Sequence, residues 1–457
     1  MIPPITVREY ARLTTAKVTA SLDQHTVTES AFKYLCELSA GFRSGGAALV
    51  QLEGRMSLRL DNFVGVVETP CGTILEILPK HVDHKKDALW ARGLLRKMLR
   101  SALDLSRRDS GLADIDVFKS PLSEWVMHQF LQALDYLIKR GIRFDYKRLE
   151  EEQRYLHGQI DIGKQTRQRA GRQHLFQIRH DVFLPDRPEN RLLKSALDKV
   201  LKSTKEPSNW RLARELMILL SEIPASNNSS ADFRAWRNER LMAHYEPVKP
   251  WCALVLGEHM PLALKGRFHG ISLLFPMEKL FERYVADRLQ HSLQSGATLD
   301  QQVGGKSLCT HEGKEFFNMR PDLRINWGIQ SWILDTKWKR LDQTLRSFDE
   351  VEGKSNYGLS QSDFYQLFAY GHKFLNGKGD LVLIYPKTAS FEKALPVFGF
   401  SSELNLWVVP FDLDSEVLLP FGCIPPLPIT TSQGAIYKQT SLPSFDKIKV
   451  PGLKLAA

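Results

Sequence analysis

Over the first eighty residues apolar and polar positions alternate in short runs, and the period then changes twice. Ala48–Leu52, Met56–Leu60, Val64–Glu68 and Thr73–Leu78 have strand length, and Gly45-Gly46, Gly54 and Cys71-Gly72 punctuate them. One helix is predicted near Glu29–Ala40. From Lys85 apolar residues recur at helical spacing, giving helices over Asp87–Leu103 and Leu122–Arg140. Strands follow at Arg143–Tyr146 and Ile178–Asp186, with Gly158 between them in a turn or bulge. Further helices are expected from Pro188, over Trp210–Leu220, Phe233–His244 and Pro247–Leu256. Near Ser272 the pattern changes again. A helix starts at Phe275, two short strands flank Trp327-Gly328, and Phe364, Leu367, Phe368, Gly371 and Phe374 form a helical stripe. Asp380–Tyr385 reads as a buried strand, and Leu406–Phe411 as a further one. After Pro420 proline and serine accumulate into an irregular tail.

These elements predict an α/β chain, α+β overall. A β-rich module (residues 1–82) precedes a mainly helical region (83–270). A core with a mixed sheet flanked by helices (271–400) and a C-terminal extension (401–457) follow. At 457 residues the chain exceeds the roughly 250–300 residues that one core can organise, so several domains are expected.

Composition narrows the class. With 43% hydrophobic and 25% charged residues the chain is that of a globular protein. No run of about 20 apolar residues is present, so no membrane segment and a cytoplasmic location are expected. Cys36, Cys71, Cys252, Cys309 and Cys423 are scattered without metal-ligand spacing. His81-Val82-Asp83-His84 lacks further ligands and reads as a surface loop. Gly304-Gly305-Lys306-Ser307 lacks the glycine a phosphate loop requires at position 300, which is Asp300, and reads as a turn. A net charge of +10 suits a polyanionic partner. The basic runs His81–Lys97 and Arg167–Arg179 fit either such a partner or a solvated face.

The candidate chemistry lies in Arg320–Arg340. On the strand from Ser331 to Trp338 alternate side chains share a face. Trp332, Leu334, Thr336 and Trp338 then point one way, and Ile333, Asp335, Lys337 and Lys339 the other. Asp335 and Lys337 stand about 7 Å apart along the strand, and Asp322 is available from its neighbour. Two carboxylates and a lysine so placed can hold a hard divalent cation and act on a water molecule. Downstream, Asp363, Gln366, Tyr370 and Lys373 form a helical stripe that can face this site. Upstream, Glu278 and Glu282 share one helical face.

Pro321-Asp322, twelve residues, then Asp335-Thr336-Lys337 resembles the motif of the PD-(D/E)XK nuclease superfamily, and Gln366-x-x-x-Tyr370 resembles the helix that follows the core in RecB-like members. That resemblance implies Asp322 and Asp335 as Mg²⁺ ligands and Lys337 as the catalytic lysine. It also implies Glu282, with Glu278 in reserve, as a helix-borne metal ligand, and Gln366 and Tyr370 as orienting groups. Leu75–Lys80, Gly158–Asp161, Asp181–Asp186, Glu189–Lys194 and Leu280–Val285 occur in the same order as in the McrC family, nuclease subunits of McrBC restriction systems. This closer resemblance implies a partner, a McrB-like AAA+ GTPase hexamer, bound through the N-terminal module. It also implies modified double-stranded DNA as substrate and self-association for double-strand cutting. Two other readings stay open: a free-standing RecB-like repair nuclease, and a non-catalytic motor activator or DNA-binding scaffold.

Overall fold

The computed structural model describes residues 4–42, 49–80, 88–103, 121–169, 171–172, 174–257, 269–341, 357–419 and 427–430. The chain divides into two compact units, Met1–Arg283 and Tyr284–Ala457. The architecture is mixed α+β, as expected. The histidines at 81 and 84 and nearly all of the tail after Pro420 lie outside the described residues.

The first unit opens with β1 (Ile5–Arg8), β2 (Arg12–Thr14), β3 (Gln24–Thr26), α1 (Glu29–Phe42), β4 (Val50–Leu52), β5 (Ser57–Leu60), β6 (Phe63–Glu68) and β7 (Ile74–Leu78). They form two four-stranded sheets, ordered β3-β2-β5-β4 and β1-β7-β6-β11, where β11 is His269–Pro276. Val7, Leu13, Leu35, Leu58, Phe63, Ile77 and Leu274 bury a common core. The sequence suggested that residues from 271 begin the third segment. Instead β11 pairs antiparallel with β6 and completes the N-terminal sheet. Gly65 permits that pairing, because a Cβ at its φ of +135° would lie 1.9 Å from the Leu273 carbonyl oxygen. Gly65→Ala is expected to cost about 2–3 kcal/mol, since strand β11 must move away. A thermal melt unchanged from wild type would show that the strand yields freely.

Next come α2 (Ala88–Ala102), α3 (Leu122–Arg140), β8 (Asp145–Gln153), β9 (Gln159–Ile160), α4 (Ile162–Thr166), β10 (Phe176–Leu184), α5 (Pro188–Ser203), α6 (Pro207–Leu219), α7 (Ser229–Ala235) and α8 (Lys249–Leu256). Phe130, Leu134, Leu197, Leu216 and Val255 are buried on α3, α5, α6 and α8. The predicted helix over Phe233–His244 is broken in two, with a 3₁₀ turn over Arg240–Tyr245. The break coincides with a contact distant in sequence: the Arg237 N–H, past the end of α7, donates to the buried Glu189 carboxylate at 3.1 Å. The antiparallel sheet β8-β10-β9 is largely exposed and held by cross-strand ion pairs, Arg148–Asp181 at 3.3 Å and Arg179–Glu150 at 3.1 Å. Arg172 pairs with Glu152 at 3.2 Å, so two of the four arginines of the run Arg167–Arg179 are engaged by carboxylates of this region.

Residues that carried the McrC resemblance in this unit have structural work. Glu76 is fully buried, receives Arg92 Nη2 at 2.6 Å and Thr6 Oγ1 at 3.0 Å, and accepts the Leu122 N–H at the start of α3 at 3.3 Å. Gly158 takes φ +73° where a Cβ would be 2.4 Å from the Arg179 carbonyl oxygen. Asp161 caps α4 and pairs with Arg179. Asn190 donates to the carbonyls of Arg143 and Pro185 and accepts from Tyr245 Oη at 2.8 Å, pinning the entry to α5.

Helix α9 (Met277–Ser292) runs across the division between the units. The second unit contains β12 (Ala297–Gln301), β13 (Lys306–His311), β14 (Lys314–Met319), β15 (Leu323–Trp327), β16 (Gln330–Thr336), α10 (Gln361–Phe374), β17 (Gly379–Pro386), β18 (Phe398–Gly399), β19 (Leu404–Asp412) and β20 (Val417–Leu418). The sheet order is β12-β15-β16-β17-β19-β18, with β20 on β19. Strands β12, β15 and β16 pair antiparallel, whereas β16, β17 and β19 pair parallel, so the sheet is mixed. The parallel step from β16 to β17 carries α10 in its crossover. Buried Leu404, Leu406, Val408 and Phe411 make β19 an internal strand, so the sheet runs past the boundary expected at residue 400. Gly371 lets α10 approach: a Cβ there would meet Leu404 Cδ2 at 2.7 Å and Leu381 Cδ1 at 3.1 Å. Gly304 and Gly305 form the turn into β13, Gly305 at φ +90°.

Candidate active site

Strand β16 is flanked on both edges by other strands, and residues 332–336 are all buried. The face that carries Asp335 is covered by α10, as the helical stripe suggested: Ile333 packs in one cluster with Leu367, Tyr370 and Phe374. Asp335 follows Ile333 on that face and is only 1% exposed. Burying a carboxylate is unfavourable unless charge or hydrogen bonds compensate. Here compensation is incomplete. Burial, and then the neighbouring Asp322, push the Asp335 carboxyl up to about 7 against the opposing pull of Lys337. Burial also raises Asp322, although its Oδ2 accepts the Thr336 N–H at 2.8 Å and Thr336 Oγ1 at 2.9 Å.

Lys337 Nζ stands 2.6 Å from Asp335 Oδ2. The contact is a close ion pair, and Lys337 is the only donor that approaches this oxygen among the described residues. Burial alone would lower the lysine, yet Asp335 and Asp322 outweigh it and hold Lys337 above its ordinary value. The Lys337 main chain is fixed by donation to the Ile384 carbonyl on β17 at 2.9 Å.

Helix α10 supplies the roof. Lys337 Nζ donates to Gln366 Oε1 at 3.4 Å, Gln366 Nε2 donates to Tyr370 Oη at 2.7 Å, and Tyr370 Oη donates to the Arg320 carbonyl at 3.3 Å. Gln366 and Tyr370 thus connect the lysine to the chain just before Asp322. Desolvation raises the Tyr370 hydroxyl, so it remains a donor at neutral pH.

The structure brings together Asp322, Asp335, Lys337, Gln366 and Tyr370. Glu282 lies half-buried on α9 in the first unit and Glu278 is exposed. The third carboxylate that acts on Asp335 is Asp363. It is 6% exposed, and its Oδ2 accepts from Tyr385 Oη at 3.3 Å and Lys339 Nζ at 3.4 Å. The sequence placed Asp363 on the right stripe without a role. Its spacing of three from Gln366 and seven from Tyr370 was the available signal, whereas Lys373, on the same stripe, is exposed.

Two mutually repelling carboxylates, both raised by desolvation, suit a hard divalent cation. Among the described residues no group of three or more His, Cys, Asp or Glu is placed to hold a metal ion. Asp322 and Asp335 are the residues that would hold such a cation. Among the described residues no helix is long and apolar enough to cross a membrane.

No curated protein matches the sequence. A chain in the refined half-complex from the tetradecameric assembly of Thermococcus gammatolerans McrB AAA+ hexamers with bound McrC shares the fold. That match has a TM-score of 0.66 and 18% identity over 90% of this chain and 95% of the other. A chain of the cryo-EM structure of the Thermococcus gammatolerans McrBC complex aligns at a TM-score of 0.48 and 19% identity, covering 62% and 86%. The sequence profile described as McrBC 5-methylcytosine restriction system component matches residues 58–386, which take in both the Glu76 anchor and the Asp322–Asp335–Lys337 cluster. The chain belongs to this family of McrBC restriction system components.

Proposed function

We propose that this chain is the McrC-like nuclease subunit of a modification-dependent restriction system, hydrolysing DNA phosphodiesters with Mg²⁺ when engaged by a McrB-like AAA+ GTPase. The observation that carries the reading is the pair of the half-buried Asp322 and the buried Asp335, both raised by desolvation, beside Lys337. Asp322 and Asp335 would hold the metal, with Glu282 assisting as the family resemblance implies. Mg²⁺, when bound, polarises the scissile phosphate and lowers the pKa of a coordinated water. The protein's own part is orientation. Lys337, cationic by virtue of its carboxylate neighbours, donates to the attacking water or to the charge that develops on phosphate oxygen. Gln366 and Tyr370 hold that ammonium in place. Asp335 keeps it charged, so it acts as donor and electrostatic stabiliser.

The partner is proposed from the neighbouring assembly, whose McrB AAA+ hexamers carry bound McrC. The deciding experiment is Mg²⁺-dependent cleavage of methylated and unmethylated duplex DNA by the chain alone, and with its AAA+ partner plus GTP. Cutting only in the complete mixture supports the proposal. Vigorous cutting by the chain alone would favour the free-standing RecB-like nuclease. Stimulated GTPase activity with no cutting would leave a motor activator.

A metal-binding prediction follows from the two carboxylates. Mg²⁺ is expected to raise the melting temperature of the wild-type chain by about 2–5 °C and to leave Asp335→Asn unmoved. Equal shifts in both proteins would remove Asp335 from the metal site.

A further inference from the structure

We propose that Lys339 contacts a phosphate of the DNA backbone beside the scissile one, and that Asp363 is the positioning residue that aims it. This deepens the nuclease reading and rests on it. Lys337 and Lys339 follow Asp335 at alternate positions, and both reach one stripe of α10: Lys337 meets Gln366 at 3.4 Å, and Lys339 meets Asp363 at 3.4 Å. Their surroundings divide the work. The Lys337 side chain is 20% exposed and held 2.6 Å from a carboxylate that is 2% exposed, so it is committed to the cluster. The Lys339 side chain is 50% exposed, and its contact with Asp363 is long. An ammonium has three donors, so Lys339 keeps capacity for a second acceptor on its solvent side. A strongly hydrated point charge on a flexible stem suits a phosphate at the rim of a site.

Asp363 is the fixed end of this pair. Its side chain is 8% exposed, and its Oδ2 is shared with Tyr385 Oη, which rises from β17 at 3.3 Å. The carboxylate cannot swing outward with the lysine, so it sets where the ammonium can stand. An ordinary half-exposed ion pair would contribute little and would leave DNA affinity untouched.

The test uses the full chain with its AAA+ partner, Mg²⁺ and a fluorescein-labelled duplex, with KM, kcat and the salt dependence of KM as readouts. Lys339→Met is expected to raise KM on the order of tenfold and hold kcat within about twofold. The slope of log KM against log salt should fall by about 0.9, the loss of one phosphate contact. Lys339→Arg should restore most of the affinity. Asp363→Asn should raise KM, and add nothing to KM in the Lys339→Met background. Wild-type KM and salt slope in Lys339→Met, with the wild-type enzyme cutting normally, would overturn the inference and leave the nuclease reading standing. A further rise in KM from Asp363→Asn in that background would overturn the positioning role. A wild-type mixture that cuts no DNA would end the nuclease reading and this inference together.

Discussion

Asp335→Asn is expected to abolish DNA cleavage, by about 10³-fold or more, and at the same time to raise the melting temperature of the metal-free protein. The two effects share one origin. Asp335 is buried 1% exposed beside Asp322, and its carboxyl is pushed up to about 7. A carboxyl raised on folding favours the folded state below its unfolded value and loses that advantage as pH rises through the folded value. At pH 8 the ionised group therefore weighs against the fold, and a neutral amide of the same shape removes that weight. Stimulation of the partner GTPase should persist, because the substitution leaves the first unit untouched. Steady-state cleavage, GTP turnover and a thermal melt on one preparation decide the matter. A variant that is inactive, destabilised and unable to stimulate would mean a folding defect, and the assignment of Asp335 as metal ligand would lose its support.

The second large effect is expected far from that cluster. Glu76→Ala should destabilise the first unit by about 3–5 kcal/mol, because it takes the carboxylate away from a largely buried guanidinium. Arg92 reaches Glu76 through Nε at 3.0 and 3.1 Å and Nη2 at 2.6 Å, with only 14% of its side chain exposed. The same carboxylate serves Thr6 and the first turn of α3, so strand β1 and helix α3 both lose an attachment. The corresponding fall in melting temperature is on the order of 10 °C. Glu76→Met with Arg92→Met should recover a large part, since both members of the ion pair are then replaced by apolar side chains. A single variant that melts with the wild type would show that the Leu75–Lys80 sequence is kept for a reason other than this anchor.

How much of this was legible in the sequence depended on the range over which each feature is decided. Helix α3 was bounded correctly because Pro121, the apolar period and Gly141 are all local. The triad of Asp322, Asp335 and Lys337 was legible for a related reason: strand alternation fixes which face a side chain takes. That a stripe of α10 can face the site was legible from its helical spacing, whereas the depth to which this packing buries Asp335 was not. Strand β11 was missed, and its end at Phe275 read as the start of a helix, because nothing in His269–Pro276 says that its partner is β6, two hundred residues earlier. Glu189 shows the same limit at helix α7, where a distant carboxylate draws off the Arg237 N–H and ends a periodic segment. Asp363 was recognised by position and not by use, since its partners Tyr385 and Lys339 come from two separate strands' ends.

Gly371 has a consequence for inheritance. It bears no functional group, yet the spacing it allows sets how closely Gln366, little more than one turn earlier, can approach Lys337. Drift at this position is therefore coupled to the leucine it faces. A methyl group at 371 would press first on the ends of Leu404 and Leu381, so those two side chains must give way for the helix to keep its seat.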